Sequence, residues 1–421
     1  MRVLVVGRGG REHALCEKIA MSQHVDEVYV APGNPGMEGV ATRLPYAEED
    51  HLKLVEFAQT QGIDLVIIGP EKPLVEGLAD RFVQAGIRVF APSQRAAQIE
   101  GSKSFAKNLM MKYQIPTASY ASFHELEPAL DYTERSPIPI VIKADGLAGG
   151  KGVIVAQTRD EAREALCHML RDRKYGQACS TVIIEEFLEG EEFSLMALVH
   201  EGLVVCLDIA QDHKRAYDGD QGPNTRGMGA YSPVPQIPHE AVNQAIKRIL
   251  EPTAQALVLE GTPFTGVLYA GLMLTAEGPK VIEFNARFGD PETQVILPRL
   301  ESDLVEVLLD VLEGRTPELK WTPQAMVGVV VASKGYPNGC TNGVVLPSYD
   351  AERGLHIYYS GVSRDDEGQL LSEGGRVYLA GSLGGSLEEA IDKVYDRLDK
   401  HQQPGLFYRR DIGRRAMQAL R

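Results

Sequence analysis

Short apolar runs and helical spacings alternate over the first hundred residues. The runs at 3–6, 27–30, 65–68 and 88–90 read as buried strands, and the spacing over 12–20, 52–61 and 74–85 predicts helices between them. That rhythm predicts a parallel sheet covered on both faces. Its strands run out into Gly7, into Ala-Pro-Gly-Asn-Pro-Gly (31–36), into Gly-Pro-Glu (69–71) and into Ala-Pro-Ser (91–93). Ligands of open α/β sheets bind at such carboxyl ends. The rhythm fades near Gln94, which sets a first domain at 1–100.

Beyond it the pattern changes to α+β. A helix over 102–113 leads through Pro116 into a strand–helix–strand unit at about 118–188, which hinge-like glycines mark as a mobile lid. Strands follow at 193–199, 203–208, 266–274 and 280–283, and the glycine- and proline-rich stretch 212–238 reads as a long functional loop. After Pro323, strands at 326–333 and 377–380 and an amphipathic helix at 387–398 predict a small C-terminal α+β domain. The domains are then 1–100, 101–325 and 326–421. The fold class is α/β and α+β, with a Rossmann-like N-terminal domain.

Composition narrows the function. A net charge of −15 over 421 residues argues against nucleic acid as a partner. No run approaches the roughly 18 apolar residues of a membrane helix. The five cysteines form no C-x-x-C pair, and no signal peptide precedes the first strand, so the expected location is the cytoplasm.

Candidate chemistry lies in four blocks. In residues 143–152, Lys143 leaves a strand and Gly146, Gly149, Gly150, Lys151 and Gly152 form a turn suited to a polyphosphate. The turn is not a P-loop, because Lys151 is followed by glycine. The loop at Gly7, Gly9 and Gly10 lacks the third glycine of a dinucleotide fingerprint, since Glu12 stands there; it suits either a phosphate or no ligand. The apolar run ending in Glu185 and Glu186 would hinge over an adenine, with Glu192 on the ribose; a charged strand end facing water fits equally. Glu283, Asn285 and Arg287 fall on one face of a strand, where two oxygen ligands suit Mg²⁺ and the arginine suits a transferring phosphoryl group.

These blocks, in this order, resemble the ATP-grasp ligases, and more narrowly the phosphoribosylamine–glycine ligase (glycinamide ribonucleotide synthetase) family. The resemblance rests on Gly-Gly-Arg-Glu-His-Ala (9–14), Ala-Pro-Gly-Asn (31–34), Lys-Ala-Asp-Gly-Leu-Ala-x-Gly-Lys-Gly-Val (143–153), Asp-His-Lys-Arg (212–215), Gly-Pro-Asn-Thr-x-Gly-Met-Gly-Ala-Tyr (222–231) and Glu-Phe-Asn-Ala-Arg-Phe-Gly-Asp-Pro-Glu (283–292). It implies an ATP-grasp domain at 101–325 and ATP-driven joining of glycine to 5-phosphoribosylamine through glycyl phosphate, in purine synthesis. Carried over residue by residue, Glu283 and Asn285 would ligate Mg²⁺ or Mn²⁺. Arg287 would steady the acyl phosphate, with Asp212 and Lys214 as further catalytic residues and Asp212 on the glycine ammonium. Lys103 and Lys143 would touch the ATP phosphates beneath Gly146, Gly149, Gly150, Lys151 and Gly152. Glu185, Glu186, Leu188 and Glu192 would hold adenine and ribose. Gly9, Gly10, Asn34, Glu71 and Asp290 would hold the phosphoribosyl amine.

The resemblance also implies small-molecule partners only and a monomer or weak homo-oligomer. Three positions depart from the family pattern: the 266–274 strand carries no metal-binding acid, Arg226 replaces a usual glycine, and Arg8 replaces a small residue. If the family glycine at 226 has positive φ, arginine would cost roughly 1–2 kcal/mol. Another ATP-grasp carboxylate–amine ligase and a nucleotide-binding regulator are the competing readings.

Overall fold

The computed structural model describes residues 1–148, 152–173, 176–349 and 354–419. Gly149, Gly150 and Lys151 lie outside the described residues.

The first domain is a five-stranded parallel sheet in the order Thr42–Arg43, Glu27–Pro32, Arg2–Gly7, Leu65–Ile68, Val89–Phe90. Val3, Leu4, Val5 and Val6 of the central strand are fully buried, as a strand covered on both faces requires. Chain order reverses on either side of this strand, so Gly7 and Gly69 flank the crevice where a ligand would lie. The helix expected over 74–85 is two, Glu71–Val75 and Leu78–Gln84. Gly77 between them takes φ +83°, which ends the first and redirects the chain.

The 118–188 unit is an antiparallel sheet in the order Tyr120–Phe123, Val182–Glu186, Ile140–Ala144, Val153–Ala156. It packs a core of its own, in which Ile140, Ile142 and Ile184 meet Ala162, Leu166 and Met169. Below it lies a second antiparallel sheet, Leu203–Cys206, Glu191–Glu201, Phe264–Thr275, Gly278–Asn285.

The third sheet differs from expectation. Its central strand, Ala325–Ser333, pairs on one side with Arg376–Gly384 and on the other with Gly229–Ser232. The stretch expected to be one long loop is therefore a set of short strands: Gln211–Asp212, Arg215–Tyr217, Gln221–Asn224 and Gly229–Ser232. Two to four residues are too few for a two-residue alternation to show in the sequence. A Cβ on Gly229 would stand 2.6 Å from Gly328 O, so glycine is what lets the two backbones approach. Among the described residues no helix is long and apolar enough to cross a membrane.

Candidate functional site

The sheets enclose a cleft of about 620 Å³. At one end the strand Ile140–Ala144 presents Lys143, whose Nζ lies 3.0 Å from Glu185 Oε2 and donates to Ile282 O at 3.0 Å. Ile282 sits at an irregularity in the pairing of Phe264–Thr275 with Gly278–Asn285, where Gly271 faces Glu283 and Leu272 faces Val281. Such a bulge leaves a backbone group off the ladder and re-aims side chains. Lys103 begins the helix Lys103–Lys112, and its Nζ reaches Asp145 O at 3.5 Å and Gly146 O at 3.4 Å. Asp145 Oδ1 accepts from the Ser104 N–H at 2.6 Å, which ties the glycine turn to this helix. Burial lowers the Lys103 pKa, and Lys143 adds to that while Glu283 opposes it. Val141, Val155, Met110, Met273 and Phe284 supply apolar walls beside Glu185, Glu186 and Leu188. These fit a flat aromatic base.

Glu283 and Asn285 close the strand Gly278–Asn285 and face the cleft. Burial opposes ionisation of Glu283, but Lys214, Lys143, Lys103 and Arg287 together hold its pKa below the ordinary value. A Cβ on Gly271 would lie 3.3 Å from Glu283 Cγ, so the facing glycine leaves the carboxylate its room. An ionised carboxylate two residues from an amide oxygen, ringed by cations, fits a divalent ion that also takes phosphate oxygens. Arg287 stands just beyond the strand. Its Nη2 donates to Asn285 Oδ1 at 3.1 Å and lies 3.0 Å from Glu100 Oε1, with Glu71 Oε2 at 3.7 Å from Nε. Burial disfavours its charge, but Glu100, Glu71 and Glu292 raise its pKa above the ordinary value.

Beyond Glu283 the cleft turns acidic. Lys214 pairs with Glu192, and Glu192, Glu283 and Asp212 raise its pKa well above the ordinary value against the pull of burial. Asp212 Oδ1 is buried with no hydrogen-bond partner among the described residues. Burial and the nearby Glu292 push the Asp212 pKa well up, an arrangement that an added ammonium would relieve.

The sequence matches the Phosphoribosylglycinamide synthetase N domain over residues 1–100, its ATP-grasp (A) domain over 101–293 and its C domain over 326–415. The chain belongs to the phosphoribosylglycinamide synthetase family. It is 55% identical over 418 residues to a phosphoribosylamine–glycine ligase of Halalkalibacterium halodurans, covering 99% of this chain and 97% of that one. It is 51% identical over 419 residues to one of Lactococcus lactis, covering 99% and 100%. The crystal structure of a phosphoribosylamine–glycine ligase from Thermotoga maritima superposes with a TM-score of 0.86 at 35% identity, over 98% of this chain and 100% of that one. The biotin carboxylase domain of a Hydrogenobacter thermophilus 2-oxoglutarate carboxylase, bound to MgADP, shares the fold at 15% identity with a TM-score of 0.73, over 97% and 91%.

Within this phosphoribosylglycinamide synthetase fold, the cleft lining brings together Glu71, Lys103, Lys143, Gly152, Glu185, Glu186, Leu188, Glu192, Asp212, Lys214, Glu283, Asn285, Arg287 and Asp290. Of the other named residues that the structure describes, Gly146, Gly9, Gly10 and Asn34 are not in the cleft lining. Gly146 stands behind the lining, its N–H donating to Ala178 O at 3.3 Å. The Gly9 N–H donates to Glu12 Oε2 at 2.6 Å and the Gly10 N–H to Ser360 Oγ at 2.8 Å. The Gly9 amide thus meets a carboxylate of the protein itself, Glu12, whose side chain fills the crevice between Gly7 and Gly69. Asn34 is buried, and its amide bonds Arg8 O at 2.8 Å, Tyr359 O at 2.9 Å and the Gly36 N–H at 2.9 Å. Asp290 meets Arg376 Nη2 at 2.9 Å and Gln294 Nε2 at 2.7 Å. Arg8 is exposed, 3.8 Å from Glu48, and lies outside the cleft lining.

The strain raised for Arg226 is not incurred. Among described non-glycine residues only Gln114, Arg173, Glu201 and Asp220 have positive φ, and it is Gly227 that takes +105°. Sequence reasoning missed Lys107, Glu100 and Arg376. Lys107 lies four residues after Lys103 on the same helix face, a signal that was there to read.

Proposed function

We propose that this cleft activates glycine with ATP and transfers the glycyl group to 5-phosphoribosylamine, giving glycinamide ribonucleotide, ADP and phosphate, a step of purine synthesis. The observation that carries the reading is the convergence of Lys103, Lys143, Glu283, Asn285 and Arg287 on one cleft, in a chain matched end to end by ligases of that name. A carboxylate is a poor acyl donor, so one oxygen of glycine attacks the γ-phosphate and ADP leaves. The amine then attacks the carbonyl of glycyl phosphate, phosphate leaves, and the amine gives up a proton. The chain's part is positioning and charge neutralisation.

In this reading Lys103 and Lys143 neutralise the triphosphate beneath the glycine turn, which includes Gly146 and Gly149 to Gly152. Glu185, Glu186, Leu188 and Glu192 hold the nucleoside. Glu283 and Asn285 would hold Mg²⁺ or Mn²⁺, which when bound neutralises phosphate charge. Arg287 steadies the acyl phosphate, Asp212 takes the glycine ammonium, and Lys214 compensates the charge between them. Glu71 and Asp290 line the end left for the phosphoribosyl amine, next to Gly9 and Gly10. A cytoplasmic, monomeric or weakly self-associating protein belongs to the same reading.

The test is ADP release from ATP with glycine, with and without 5-phosphoribosylamine. Release that needs glycine and rises with the amine is expected. Release with other amino acids but not glycine would replace this reading by that of a different carboxylate–amine ligase, and ATP binding without turnover by that of a regulator.

A further inference from the structure

The ATP end of the cleft holds one more cation than the proposed chemistry uses. Lys107 Nζ stands 3.1 Å from Glu185 Oε2, the same oxygen that Lys143 Nζ meets at 3.0 Å. All three side chains are nearly sealed from solvent, at 3%, 5% and 3% exposure for Lys107, Lys143 and Glu185. We propose that Lys107 is a positioning residue for the nucleotide: by holding Glu185 it releases Lys143 to the triphosphate.

The two lysines are held differently. Lys107 Nζ donates to Thr117 Oγ1 at 2.9 Å and approaches Ala118 O at 3.4 Å. The Thr117 hydroxyl is itself fixed, donating to Val281 O at 2.7 Å. Lys107 is thus anchored to the segment that enters the lid and to the strand that carries Glu283. Among the described residues Lys143 has only Ile282 O besides the shared carboxylate, and it comes from the lid sheet facing the cleft.

A buried carboxylate with a single ammonium would grip it, because separating them leaves both charges unpaired in a poor solvent. Two ammoniums on one oxygen repel each other and share one negative charge, so each is held less tightly. A triphosphate offers Lys143 a better partner, and Lys143 can leave without stranding Glu185, because Lys107 stays. Glu185 Oε1 is buried and, among the described residues, without a hydrogen-bond partner at the cleft wall.

The proposal rests on the ATP reading above, and the experiment separates the two. The affinity of the full chain for Mg–ATP is measured by calorimetry for wild type, Lys107→Met, Glu185→Gln and the double variant, together with KM for ATP and for glycine. Lys107→Met is expected to weaken ATP binding and raise its KM roughly tenfold to a hundredfold, with KM for glycine unchanged. In the Glu185→Gln background, where there is no carboxylate to compete for Lys143, adding Lys107→Met should change ATP affinity no further. Wild-type ATP affinity in Lys107→Met, or an equal further loss in the Glu185→Gln background, overturns the proposal. Should Lys107→Met alone not fold, Glu185→Gln against the double variant decides it: equal affinities support the role and unequal ones reject it. Failure of the wild-type chain to bind Mg–ATP would instead remove the ATP reading, and this proposal with it.

Discussion

Replacing Glu283 by glutamine changes one charge and almost nothing else. The side chain keeps its length and volume, and the facing Gly271 leaves room for either. What is lost is the anion that Lys214, Lys143, Lys103 and Arg287 surround, together with a ligand of the proposed metal. Removing a group that stabilises transition-state charge typically costs about 10²–10³ in rate, or about 2.7–4 kcal/mol. The expected result is a loss of that size in glycine-dependent ADP release, with a higher Mg²⁺ requirement. Stability gives an independent readout. The folded-state pKa of Glu283 lies below the ordinary value, so its charge stabilises the fold above the unfolded pKa of about 4.3, and that contribution disappears as pH falls through the folded pKa. The melting temperature of Glu283→Gln should therefore lie below wild type at neutral pH and converge with it in acid. Wild-type turnover at limiting Mg²⁺ would refute the assignment of Glu283, whatever the melting curves show.

Three further outcomes follow from the geometry. Gly227→Ala would place a Cβ 2.5 Å from Pro291 Cδ and 2.6 Å from Asp212 Oδ1, at a backbone conformation costing about 1–3 kcal/mol; KM for glycine should rise while KM for ATP holds, as steady-state kinetics would report. Asn34→Ala removes three hydrogen bonds, two within the first domain and one to Tyr359 O of the Leu355–Tyr359 strand, and should cost about 2–4 kcal/mol in denaturant melts without changing ATP affinity. Amides of the sheet spanning Tyr120–Phe123 to Val182–Glu186 should gain hydrogen-exchange protection with Mg–ATP, and unchanged protection would count against a mobile lid.

The parts of the site legible in the sequence are those whose chemistry is contiguous. Lys143 with its glycines, and Glu283 with Asn285, can be read because one strand or one turn presents them together. Arg287 was read as the third residue of the same strand face, yet the strand ends at Asn285, and Glu100 and Glu71 are what aim the guanidinium. Glu12 stands where a dinucleotide fingerprint has its third glycine, and that pattern does not register its carboxylate accepting from the Gly9 N–H. Arg376 reaches the cleft from a strand eighty-six residues beyond Asp290, and no local pattern announces such a meeting. The parallel sheet was legible because long buried strands and amphipathic helices have distinct periods. The 211–232 strands were not, because they are short, and the Ala325–Ser333 partner of Gly229–Ser232 lies a hundred residues away.

That pairing bears on how the protein can be divided. Three family domains suggest three pieces to exchange or express alone. A fragment starting at residue 326 would begin inside Ala325–Ser333 and abandon Gly229–Ser232 on the other side of the cut. It would bare a hydrophobic sheet edge able to join a second molecule. Chimaeras among relatives should therefore keep the two segments from one parent, even where the swap leaves every site residue untouched.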